Sequence, residues 1–189
     1  MTSDQVLEVF RRCAALLHGH FVLRSGQHSR TFFQCALVLQ DPVATAELCG
    51  ALVDKIKRQK WVFHTIISPA MGGILVGHEV ARYLRRRHIF AEKEEGKLRI
   101  RRFEVKKGEK FLVAEDVITT GSAVQEVIQL VVEAGGEVSG VACLVDRSTQ
   151  RPALGAPLCS LMSLPVETFP PTSLPADLEK IPATKPGSR

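Results

Sequence analysis

No stretch of this chain stays apolar for the ~18 residues that a membrane-spanning helix needs. Its opening, MTSDQVLEVFRRC, also lacks the basic segment and apolar run of a secretory leader. A soluble, cytoplasmic protein with no membrane partner is expected. Cysteine is sparse: Cys13, Cys35, Cys49, Cys143 and Cys159 lie far apart with no CxxC spacing, which argues against a zinc site or a disulfide framework and for reduced core thiols. Aromatic residues make up only 6% of the chain, and no recognisable nucleic-acid module surrounds its cations. The six histidines, His18, His20, His28, His64, His78 and His88, lack metal-ligand spacing, and His28 is left as a candidate for orienting its neighbours. Internal repeats and low-complexity linkers are absent too.

What is present is a basic segment rather than a basic surface. Arg85 to Lys110 holds eleven Lys or Arg against five Glu, a local +6 within a net charge of +5. Cations concentrated in this way suit a small phosphorylated ligand better than a nucleic acid. At 189 residues and 45% hydrophobic composition, the chain is long enough for one well-buried domain.

Val6, Val9, Phe10, Cys13, Leu16 and Leu17 recur at helical spacing, which predicts a first helix reaching to His18. "FVLRSGQHSRTFFQCALVL" reads as two extended pieces around a polar turn. Asp41 and Pro42 then cap a second helix running to about Lys57. "VFHTIIS", "ILVGHEVARYLRR" and "HIFAE" form a βαβ unit. "FLVAE", a helix from Ser122 to Ala134 and "VSGVACLVD" form another. Between the units, "LRIRRFEV" pairs with the preceding strand across EEGK as a projecting hairpin, a candidate lid. Beyond Asp146 eight prolines predict one edge strand near 158–164 and then a loosely structured tail. The fold class is α/β: a parallel sheet flanked by helices, with a small hood at 18–40, a lid at 92–104 and a tail at 165–189.

Sheets of this kind bind ligands beyond the carboxyl ends of their strands. There, "FLVAEDVITTGSAVQEVI" (111–128) places Glu115 and Asp116 where the strand is expected to end, followed by Thr119, Thr120, Gly121, Ser122 and Ala123 at the start of a helix. The unpaired amides of that helix start and the hydroxyls around it make a phosphate cradle, with Gly121 allowing close approach. Two carboxylates beside a phosphate are tolerable when they face vicinal hydroxyls of the same ligand, and a ribose 5-phosphate meets both demands. A P-loop is excluded because the required Gly and Lys spacing is missing.

This stretch closely resembles the phosphoribosyl pyrophosphate (PRPP) signature of the phosphoribosyltransferases, a family with a Rossmann-like parallel sheet and a hood. Within it, "GHFVLRSGQHSRTFFQCALVLQDP", "ISPAMGG", "LVDRS" and the closing "KPGSR" are similar to orotate phosphoribosyltransferases. The resemblance implies transfer of phosphoribose from PRPP to orotate, giving orotidine 5′-phosphate and pyrophosphate in pyrimidine synthesis. It implies Mg²⁺ carried by PRPP with no direct protein ligands, and a homodimer whose lid serves the neighbouring site. PRPP is then expected on Arg24, on Ala70, Met71, Gly72 and Gly73 through backbone amides and a strained peptide, on Lys93, and on Glu115, Asp116, Val117, Ile118, Thr119, Thr120, Gly121, Ser122 and Ala123. Orotate is expected on Phe32, Phe33, Thr119 and Arg147, with Asp146 orienting Arg147. Glu115, Asp116 and Lys93 are the catalytic candidates.

The chain departs from the family pattern in three places. Gly72 stands where many members have a lysine, and "AEKEEGKLRIRR" replaces a loop richer in Lys and His, leaving Lys93 as the lid cation with Lys97, Arg99 or Arg101 in support. "SLPADLEKIP" stands in place of a pair of tail cysteines. A PRPP-binding regulator without catalysis and a purine phosphoribosyltransferase are the other readings.

Overall fold

The structure, a computed structural model, describes residues 1–23, 26–150, 152–165 and 167–185. In chain order the elements are α1 (Ser3–Arg12), β1 (Leu16–Val22), β2 (His28–Phe33), α2 (Cys35–Leu39), α3 (Pro42–Arg58), β3 (Thr65–Pro69), α4 (Gly72–Leu84), β4 (Arg87–Glu94), β5 (Lys97–Arg99), β6 (Lys110–Ile118), α5 (Ser122–Glu133), β7 (Glu137–Asp146), β8 (Leu158–Ser163) and α6 (Ala176–Glu179). The main sheet runs β5-β4-β3-β6-β7-β8, parallel except for β5.

Its strands are nearly continuous apolar runs because both faces are covered. Alternate residues divide between the two sides. Ile66, Leu112, Ala114, Ala142 and Leu144 join the core beneath α1, α3 and α4, while Ile67, Phe111, Val113, Val141 and Cys143 meet Val124, Val127 and Val131 of α5. From β3 the chain winds outward through α4 to β4, and from β6 it winds the opposite way through α5 to β7. The reversal leaves a crevice between the carboxyl ends of β3 and β6, the usual ligand position in such sheets.

Several expectations need correction. The first helix stops at Arg12, and Ala14 adopts a positive φ of 51°. Leu16 and Leu17 instead pair with Phe33 and Phe32 in the β1–β2 hairpin, so an apparent helical period spanned two elements. Residues 35–39, read as extended, form α2. β6 does not end at the acids but runs on to Ile118. β5 ends at Arg99, not Val105, because Ile100, Phe103 and Val105 turn to pack on the α5 side of the core.

Among its described residues the tail is not loose. Phe169 exchanges backbone hydrogen bonds of 2.8 and 2.9 Å with His28, and Thr184 is bonded to Val22 and His20 at 2.8 and 2.9 Å. Arg30 grips Asp177 through two nitrogens at 2.7 and 2.8 Å and reaches Glu167 at 2.9 Å, while Leu178 is buried. The hood is therefore built from both ends of the described chain.

Under α4, His88 Nε2 lies 3.1 Å from Ser68 Oγ, in a space kept open by Gly77. Burial, with repulsion from His78 added, pushes the His88 imidazole down to about 4 from 6.5. The unfolded chain therefore binds the extra proton and the folded chain does not, so this contribution is intact above pH 6.5 and is lost as pH falls towards 4. The shift corresponds to ~3 kcal/mol, or ~2 after allowing for partial exposure. Urea unfolding across that window should show the loss in the wild type, and a His88→Gln variant should show a correspondingly shallower pH dependence.

Candidate active site

At the crevice, one cavity of ≈ 790 Å³ is lined by residues from six different segments. β3 and the turn after it supply Pro69, Ala70, Met71 and Gly72, and the Ala70–Met71 peptide bond is cis. β6 and the following turn supply Glu115, Asp116, Val117, Thr119 and Thr120, and α5 supplies Ser122, Ala123 and Glu126. Lys93 and Leu98 come from the lid hairpin, Phe32 from the hood, and Arg147 to Thr149 from the end of β7.

The two acids differ. Each accepts the backbone N–H of the residue after it, Glu115 from Asp116 at 3.0 Å and Asp116 from Val117 at 2.9 Å. Glu115 is only 7% exposed, tucked beneath the start of α4, where a Cβ on Gly73 would come within 2.8 Å of its Oε1. Burial, and then the neighbouring Asp116, raise the Glu115 carboxyl well above the usual carboxylate range. Asp116 is only partly buried and faces the cavity. Gly72 is what gives Asp116 its position, since a Cβ there would lie 2.7 Å from Asp116 Cγ.

The phosphate turn is open. Gly121 takes φ 79° and no side chain caps α5, while Thr120 Oγ1 and Ser122 Oγ sit 3.2 Å apart at its mouth. Gly121 does not itself line the cavity; it rests under Leu154 and Pro152, so its role is to shape the turn. Ile118 is core, and Gly73 serves as packing beneath the acids.

The lid turns at Glu95-Gly96, both with positive φ (50° and 84°), as a two-residue hairpin of the primed type requires. Of its cations, Arg99 and Arg101 pair with Glu94 at 3.1 and 3.2 Å, and Arg102 pairs with Glu92 at 2.9 Å. Lys93 is exposed, lines the cavity and forms no ion pair among the described residues; Lys97 is outside the cavity. The hairpin is anchored by Glu126, whose Oε1 accepts the Leu98 N–H at 2.5 Å. Glu126 was missed in the sequence, although its spacing four residues after Ser122 put it on the same helix face. Glu126→Ala should release that amide and speed its hydrogen exchange by ~10-fold or more, as loss of a charge-assisted bond implies, with Gln at this position retaining most of the protection.

At the far end, Arg147 extends over Phe32 and Phe33, its guanidinium carbon 6.0 and 5.6 Å from the two ring centres. Its Nε is buried with no hydrogen-bond partner, and burial lowers its pKa. Asp146 does not orient it, contrary to expectation. That carboxylate is occupied by Ser148, accepting from its N–H at 3.0 Å and from its hydroxyl at 2.5 Å. Phe33 is core, edge-on to Phe10 at 5.4 Å, and supports Arg147 from beneath rather than lining the cavity. Ser148, Thr149 and Thr168 complete the wall and carried no pattern of their own in the sequence. Arg24 lies outside the described residues.

A model of the phosphoribosyl transferase domain matches residues 39–167. An orotate phosphoribosyltransferase of Desulforamulus reducens is 48% identical over 190 residues, covering 100% of this chain and 98% of its own. The chain belongs to the orotate phosphoribosyltransferase family. A second orotate phosphoribosyltransferase, from Caldicellulosiruptor bescii, is 46% identical with 100% of this chain and 99% of its own covered. Among solved structures, the orotate phosphoribosyltransferase of Aeropyrum pernix superposes with a TM-score of 0.73 at 24% identity, over 84% of this chain and 93% of its own, a likeness of fold. By family the chain is a PRPP-dependent glycosyltransferase acting on a nitrogenous base. No helix among the described residues is long and apolar enough to cross a membrane.

Proposed function

We propose that the protein transfers the phosphoribosyl group of PRPP to orotate, releasing pyrophosphate and forming orotidine 5′-phosphate. One observation carries the choice of base: Arg147 brings a half-buried guanidinium, desolvated at its Nε, to the cavity that Phe32 also lines. A ring carboxylate is the group that such a fork pairs with best, and an aromatic ring suits a planar base.

PRPP then lies along the rest of the cavity. Its 5-phosphate sits on the turn from Thr119 to Ala123, its ribose hydroxyls face Asp116 and Glu115, and its diphosphate faces Ala70 to Gly72 and Lys93. As the bond to pyrophosphate breaks, positive charge grows on the sugar, and the Asp116 carboxylate stabilises it. Glu115, its carboxyl pushed well above the usual range by burial and then by Asp116, acts as a hydrogen-bonding partner to the ribose side. Lys93, which lines its own chain's cavity rather than reaching a neighbouring site as the lid was expected to do, attracts the departing pyrophosphate. Asp116 and Glu115 on the ribose side of the cavity are oxygen donors of the kind that would suit an Mg²⁺ carried in by PRPP. When bound, the ion would offset charge on the leaving pyrophosphate, with Asp116 nearby through the ribose hydroxyls.

Incubation with PRPP, Mg²⁺ and a panel of bases tests the reading. Pyrophosphate release with orotate alone supports it; release only with a purine, or binding of PRPP without release, overturns it. The exposed Leu75 and Tyr83 on α4 fit the expected homodimer, and sedimentation as a monomer at micromolar concentration would remove that part of the proposal.

A further inference from the structure

A second cavity, of ≈ 340 Å³, opens at the opposite edge of the sheet, lined by Lys57, Lys60, Trp61, Phe63, Leu84 and Arg86 among others. It precedes β3 and β4, whereas the candidate active site follows them, so the five residues of β3 separate the two by roughly 16 Å of extended chain. Its volume lies near the lower end of the range for small-molecule sites, ~300 to 1,000 Å³, which limits an occupant to about the size of one nucleotide.

Two features define what it would take. Trp61 lies against β7 at Gly140, where a Cβ would sit 2.7 Å from the indole Cδ2. Trp61 and Phe63 are both only partly buried, so aromatic surface is left to the cavity. The side chains of Lys57, Lys60 and Arg86 are exposed and form no ion pair or hydrogen bond among the described residues, unlike the lid arginines. Aromatic faces beside unneutralised cations recognise a ligand that is flat at one end and anionic at the other.

We propose that this cavity is a second binding site for a nucleoside monophosphate, its base stacked against Trp61 and Phe63 and its phosphate held by Lys57, Lys60 and Arg86. The site is independent of the identity of the transferred base, and it offers the enzyme a place to sense nucleotide without occupying the active cavity.

Trp61 is the single tryptophan of the chain, so intrinsic fluorescence reports on this cavity directly. Titration with uridine 5′-monophosphate should quench it with a saturable curve, and Lys60→Glu with Arg86→Glu should weaken the apparent affinity ~10-fold or more while leaving turnover at saturating substrates unchanged. Ribose 5-phosphate, which lacks the base, should bind at least several-fold more weakly. Absence of quenching at millimolar nucleotide, quenching unaffected by the charge reversals, or equal binding of ribose 5-phosphate would each overturn the proposal. Cations that serve only the carbonyl ends of α3 and α4 would give no quenching and a lowered melting temperature on charge reversal, which also overturns it.

Discussion

Asp116→Asn should lower kcat by ~10²- to 10³-fold, the usual cost of removing one preorganised group from a charge-developing centre, while Glu115→Gln should cost far less. The difference follows from their burial rather than from their chemistry. Glu115 lies under the start of α4 with its carboxyl held well above the ordinary range by burial, so glutamine there removes less negative charge than asparagine does at Asp116. Asp116 is less buried and faces the cavity, where the sugar would lie. Steady-state kinetics at saturating PRPP and orotate separates the two, with circular dichroism to confirm the fold. Equal and large losses would mean that both carboxylates are ionised in the working complex; two near-wild-type rates would remove the acids from the reaction.

Arg147→Ala should weaken orotate by ~1.5 to 3 kcal/mol while leaving PRPP affinity nearly unchanged, as expected for a lost hydrogen bond to a charged group. The same substitution should not destabilise the free protein, and should raise its melting temperature if anything. Arg147 carries a desolvated charge whose Nε has no partner, so the ligand-free fold bears a cost that truncation relieves. Calorimetric titration of both ligands, together with a thermal melt, checks both halves. Unchanged orotate affinity would take Arg147 out of the base site; a falling melting temperature would assign it to the packing of Phe32 and Phe33.

Much of this was legible in the residues. The βαβ units, the Asp41 cap that accepts from Val43 and Ala44 at 2.9 and 3.2 Å, the lid turn and the phosphate turn are all local features, and local sequence carries them. What was hidden depended on distant partners. Leu16 and Leu17 look helical beside Cys13, and only Phe32 and Phe33 across the hairpin make them a strand. The tail looks irregular because its prolines forbid ladders of any length, yet single bridges at Phe169 and Thr184 were enough to secure it. Within the site, sequence position named the acids but could not rank them. Burial beneath Gly73, which no spacing rule contains, is what separates Glu115 from Asp116.

The union of hood and tail also bears on how the chain is made. Residues 16–33 leave the ribosome early, but the hydrogen bonds that close their outer edges come from Phe169 and Thr184, more than 130 residues later. At ~5 to 20 residues per second, the nascent hood waits on the order of 10 to 30 s with its hairpin held only by local packing such as Phe33 on Phe10, a marginal structure by itself. The sheet that carries the PRPP turn can therefore assemble before the hood that supplies Phe32. Synthesis arrested near residue 164 would leave a core with a phosphate cradle and an unfinished roof.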